Sequence, residues 1–142
     1  MYRAVTVGAA AVIMTAGQWA PAEAAAPGTP VYIVAHEDFT AESSDFESTI
    51  AGCEAGTVVN EDEATHFTPW GGVFVGSKVF TCDDGEAGFT LRLKARFGDG
   101  STGSWNVTDG WGDLDGLKGS GGLVGIPISE TSIDDIYTGT LR

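Results

Sequence analysis

Few residues in this chain have types and spacings that could do chemistry, and they fall into small groups. The first is His36-Glu37-Asp38, at the end of the apolar, β-branched run that begins at Val31. If that run is extended, alternation sends His36 and Asp38 to one face and puts Glu37 on the other with Ile33 and Ala35. A carboxylate held among apolar neighbours has a raised pKa and can serve as a general acid or base. The alternative is a glutamate that faces solvent or a sheet edge. Asp135, near the C-terminus, is the second carboxylate that could position or protonate a substrate.

Arg92, Lys94 and Arg96 share one face of a second alternating run. They would form an anion site inside a cavity, and a plain solvated face outside one, where an exposed ion pair contributes only about 0–1 kcal/mol. The stretch Asp109-Gly110-Trp111-Gly112-Asp113-Leu114-Asp115-Gly116 collects carboxylates of the kind calcium takes. It lacks the spacing and closing glutamate of an EF-hand loop, and glycine beside aspartate is ordinary turn chemistry, so no metal is assigned. His66 is placed in a loop and given no role, and Asn106-Val107-Thr108 matches a glycosylation sequon. No serine sits in a G-x-S-x-G turn with a histidine partner, which disfavours a hydrolase. No cofactor motif is present.

Two cysteines occur, Cys53 and Cys82, without C-x-x-C spacing. The N-terminus names their compartment. A basic Met1-Tyr2-Arg3 end, a short apolar run from Ala4 to Ala16 and the small-x-small site Ala22-Glu23-Ala24 have the layout of a secretory signal. The apolar run falls short of the roughly 20 residues a bilayer span needs. The expectation is a leader over residues 1–24, a loose tail over 25–30 and one domain over 31–142, secreted, with Cys53 bridged to Cys82. Export leaves 118 residues (142 less 24), enough for one modest core, with the net charge still at −13 because Arg3 and Glu23 cancel. Such acidity excludes nucleic acid and anionic membrane surfaces as partners, and no later run is apolar enough for membrane insertion of the mature chain.

The elements that must position these groups are strands. Glycine accounts for 21 of the 142 residues, proline is sparse, and β-prone runs alternate with glycine and aspartate turns. Strands are expected at residues 31–40, 46–52, from 57, at 73–81, 89–97, 104–108, 121–126 and 135–141, with Glu61-Asp62-Glu63 as an acidic loop or edge. The clearest is 89–97: Phe89, Leu91, Leu93, Ala95 and Phe97 take one face and Thr90, Arg92, Lys94 and Arg96 the other. The short turn before it makes 73–81 and 89–97 a hairpin. Four large rings, Trp70, Trp105, Trp111 and Tyr137, are expected to fill the core or to line a cavity in a small barrel.

Several segments together resemble a known family. They are 73–85 (VFVGSKVFTCDDG), 88–97 (GFTLRLKARF), 103–121 (GSWNVTDGWGDLDGLKGSG) and 135–139 (DIYTG). Their order is similar to the allene oxide cyclase and dirigent type of β-barrel, in its small secreted bacterial forms. The likeness covers roughly the second half of the chain and rests mostly on turn glycines. Where the family has glycine-threonine-glycine, this chain has Gly110-Trp111-Gly112. The resemblance implies an eight-stranded antiparallel closed barrel with an apolar cavity, relatives that steer cyclisation or coupling of hydrophobic molecules without a cofactor, and a possible trimer. No catalytic residue transfers.

Three readings follow. The leading one is a barrel binding an apolar small molecule, with Trp105, Tyr137 and Trp111 as contacts. The second is a cyclase-like or dirigent-like enzyme of the isomerase or lyase type, using Glu37 or Asp135. The third is a structural or surface-interaction protein with a filled core. Cavity volume separates the third from the others: small-molecule sites occupy roughly 300–1,000 Å³. A carboxylate facing inward favours the enzyme, and an all-apolar lining favours the binder.

Overall fold

The computed structural model describes residues 28–98 and 100–142, so the expected leader lies outside the described residues. The strands are β1 (Thr29–Asp38), β2 (Ser44–Ser48), β3 (Ala55–Thr68), β4 (Gly71–Cys82), β5 (Gly88–Gly98), β6 (Gly100–Trp111), β7 (Gly119–Ser129) and β8 (Ser132–Leu141). They close in sequence order into one antiparallel barrel, β8 pairing back onto β1 along its full length. Closure leaves no open sheet edge around the ring.

Alternation decides the interior. On β5, Phe89, Leu91, Leu93 and Ala95 are buried, while Arg92, Lys94 and Arg96 face solvent. The three cations therefore lie outside the barrel and form no anion site in its mouth. The expected hairpin is present, with Thr81 opposite Gly88. Thr29 and Pro30, expected to be loose, belong to β1 and pair with β8. A proline beginning a strand costs the ladder little.

Strands β3 and β6 are longer than local composition suggests. The acidic Glu61-Asp62-Glu63 is not a break but a bulge in β3, where Asp62 takes φ 47° and the register with β4 slips between Glu61 and Ala64. His66 sits on this strand, opposite Val73, rather than in a loop. β2 covers β3 only over Ala55–Val58, so the rest of β3 pairs with β4 alone and the β3–β4 hairpin projects past the ring. The carboxylates along that uncovered edge discourage pairing with another chain. Trp70 stands at the hairpin tip, 89% exposed, and fills no core.

The two ends of the barrel differ. One is plugged by rings. Phe80 stacks on Phe89 with centroids 4.8 Å apart, and Phe46 and Tyr137 meet Phe80 edge-on at 5.0 and 5.8 Å. Such offset and T-shaped pairs add to the gain from burying the rings. The expected disulfide pins this end, joining Cys53 in the β2–β3 loop to Cys82 at the end of β4. The other end, ringed by the β1–β2, β3–β4, β5–β6 and β7–β8 turns, is open.

Candidate functional site

The open half of the barrel holds a cavity of about 510 Å³. Its walls are Phe74 from β4, Leu93, Ala95 and Phe97 from β5, Leu123 from β7 and Ile133 from β8. Phe39, Phe67 and Pro127 stand at the rim, and Phe67 meets Phe97 edge-on at 5.8 Å. The projecting hairpin supplies Asn60, Thr65 and Phe67 as one wall. Its length, and the shortness of β2, thus shape the entrance.

At the floor, between cavity and aromatic plug, the apolar lining stops. Lys78 on β4 and Asp135 on β8 line the cavity here. Glu37 on β1 lies beside them, and its Oε1 accepts a hydrogen bond from Lys78 Nζ. Asp135 Oδ2 lies 3.5 Å from the same ammonium. Because β1 and β4 are not neighbours, the Glu37–Lys78 pair crosses the lumen and ties opposite walls together. All three groups are buried: the side chains of Lys78 and Glu37 are each 6% exposed and that of Asp135 is 13% exposed. The Lys78 ammonium also lies 5.9 Å from the centre of the Phe74 ring. Removing three charges from water costs several kcal/mol per ion, which mutual attraction must offset.

Each position follows from strand phase. Glu37 shares its face with Val31, Ile33 and Ala35, as expected, and is buried rather than at an edge. Asp135 alternates with Tyr137, opposite Ala35 on one side and Gly125 on the other. Two carboxylates share one ammonium, so the third charge is incompletely compensated. The balance appears at Asp135, where burial is the main influence. It pushes the carboxyl up to about 6 from an ordinary 3.8, Lys78 opposing the rise and Glu37 adding to it.

Lys78 is the residue of this candidate site that sequence reasoning missed. Its signal was present: it alternates with Phe74 and Phe80, so it faces inward wherever Phe80 is core. The competing set Val73, Val75 and Val79 is the more β-branched, yet it takes the outer face, half-buried.

The aromatic candidates lie elsewhere. Trp105 is buried against the glycine-rich β7 and β8, donating from Nε1 to the Gly122 carbonyl at 2.8 Å. A Cβ on Gly139 would come within 2.8 Å of its ring. Tyr137 is sealed in the plug; its hydroxyl has no hydrogen-bond partner among the described residues, and burial raises its pKa well above the ordinary phenol value. Trp111 covers Gly88 at the plugged end. None of the three lines the cavity.

His36 and Asp38 are on the outer face. His36 lies 2.9 Å from Asp134 and 3.5 Å from Glu47, and the hydrogen bond to Asp134 is the main reason its pKa rises above 6.5. The aspartate-glycine stretch ends β6 and forms a 3₁₀ turn, Gly112–Leu114. Among the described residues no three His, Cys, Asp or Glu side chains are arranged to hold a metal ion. No protein family, curated protein or solved structure matches the chain.

Proposed function

We propose that this chain is a secreted barrel that takes a mostly apolar small molecule into its open half. The observation that carries this reading is the cavity of about 510 Å³ with apolar walls and a floor of buried ionisable groups. Its volume lies within the range that encloses small ligands and is far from the filled core a purely structural protein would have. Binding sites of this type join apolar walls, which drive entry, to a few polar groups that fix orientation. The disulfide supports export, since such bridges persist in oxidising compartments.

The experiment is to fill the space. Ala95→Trp places an indole among Phe74, Phe97 and Ile133 without touching the plug. The secreted wild type should bind a neutral apolar dye such as Nile red and carry a co-purified ligand in native mass spectrometry. Ala95→Trp should lose both while keeping its circular dichroism. Equal dye binding by the two proteins would defeat the reading.

A second reading, a cofactor-free isomerase or lyase like the cyclase and dirigent barrels, is favoured by one observation. Asp135 faces the cavity with a pKa of about 6 beside an ammonium, so near neutral pH it can both hold and release a proton against a bound molecule. Activity of this kind would follow a group titrating near 6 and vanish in Asp135→Asn; turnover unchanged in that variant would exclude it.

A further inference from the structure

The charges at the cavity floor identify the ligand's head group. Lys78 is the one cation facing the cavity among the described residues, and it is already committed. Glu37 takes its hydrogen bond, and Asp135 Oδ2 lies 3.5 Å away. Among the described residues Asp135 has no closer side-chain donor than Lys78, at 3.5 Å, although it lines the cavity and is mostly buried. Its other oxygen, Oδ1, lies on the β7 side, 3.0 Å from where a side chain on Gly125 would begin. With every group ionised, the floor holds two negative charges and one positive charge.

From this juxtaposition we infer that the ligand is an apolar amine, its protonated nitrogen donating to Asp135. The inference rests on the small-molecule reading above. A ligand ammonium on the free side of Asp135 extends an alternating row of charges: Glu37 negative, Lys78 positive, Asp135 negative, ligand positive. The site becomes neutral, and Asp135, shared with Lys78 only through Oδ2, gains a charge-assisted hydrogen bond at Oδ1. A carboxylate head would do the reverse. It would bring a third negative charge to a single ammonium in a low-dielectric pocket, where like charges repel strongly. The long-range field acts in the same direction, since the chain's net charge of −13 attracts cations and repels anions.

The pH dependence follows from the groups facing Asp135. These are Glu37 on β1, Lys78 on β4 and Tyr137 on β8 itself; β7 presents Leu123 and Gly125, and Asp134 acts from the outer face. Protonating Asp135 removes the negative charge that an ammonium seeks, so amine affinity falls as pH drops through about 6.

The test compares decylamine, decanol and decanoate, each below its micelle concentration, by calorimetry on the full secreted chain with its disulfide intact. At about pH 7.5 decylamine should bind at least about tenfold more tightly than decanol, and decanoate at least about tenfold more weakly, the size expected of one charge-assisted bond gained or one repulsion added. The amine's advantage should shrink at about pH 5. Asp135→Asn should abolish it while decanol still binds. Glu37→Gln, which leaves Lys78 and Asp135 as a neutral pair, should reduce it too and guards against a fold defect in the first variant. Decanoate binding as tightly as decylamine, or an amine preference that survives Asp135→Asn, would overturn the inference and leave the cavity reading standing. Failure of all three ligands to bind would overturn both.

Discussion

Replacing Asp135 by asparagine should make the protein more stable above neutral pH, and the structure gives the size of the effect. The native carboxyl titrates near 6, whereas in the unfolded chain it returns to its ordinary value of 3.8. Between those values the native state holds a proton that the unfolded state has released. Stability from this group is therefore complete below about pH 4 and is lost as pH rises through about 6. A difference of about two pH units corresponds to about 3 kcal/mol. Asparagine has nearly the shape of the protonated acid and cannot ionise, so the variant should not suffer that loss.

The assay is urea unfolding followed by tryptophan fluorescence, from about pH 4 to about pH 8, on both proteins with the disulfide oxidised. Other carboxylates titrate over part of this range, but they do so in both proteins and cancel in the difference. With a urea dependence of about 1–3 kcal/mol per molar, the gap between the two midpoints should grow by roughly 1–3 M from the acid to the basic end. Most of the change should fall between about pH 4 and pH 6, the interval between the unfolded and native values. Two curves that stay parallel throughout would refute the reasoning, because they would show that Asp135 is not buried with a raised pKa.

Two further sets of substitutions probe the remaining parts of the frame. Lys78→Met leaves Glu37 and Asp135 buried without a cation, which should cost about 3–5 kcal/mol, and adding Glu37→Gln should recover part of the loss; a double variant no better than the single one would show that the pair is not coupled. Removing the bridge with Cys53→Ser and Cys82→Ser frees a loop of 29 residues' separation and should lower unfolding stability by about 3–4 kcal/mol, read from the shift in urea midpoint against the wild type.

How much of this was legible beforehand depends on the range of the forces involved. The strand at Gly88–Gly98 could be read from its residues because period-2 alternation is a local signal. The same rule placed Glu37 correctly. It did not reveal Glu37's partner, because the pairing crosses the lumen between strands 41 residues apart in sequence. Lys78 is half legible: alternation with Phe80 gives its face, but a lone lysine on a strand is ordinarily solvated, and the carboxylates that keep it buried reach it only when the barrel closes. Trp70 misled because residue type suggested burial, whereas the overlong hairpin carries it past the ring. Ring size does not say on which side of the floor a ring lies. Trp105 and Tyr137 are buried as rings should be, but on the plugged side of the floor.

The location of the ion triad bears on why it exists. A buried ion pair is weak support for a fold, and apolar residues of similar volume often serve as well or better. Here the aromatic plug and the disulfide already secure one half of the barrel, and leucine or methionine at 37, 78 and 135 would continue the same apolar interior toward the mouth. The chain instead holds three ionisable groups at the one level where the packed half meets the empty half. One of them is left incompletely neutralised, and it is the carboxylate that lines the cavity. A floor designed only to close the barrel would gain nothing from that residual charge. A floor that must meet a polar group at the end of an otherwise greasy molecule requires it, so the energetic cost at Asp135 is itself an argument that the cavity is used.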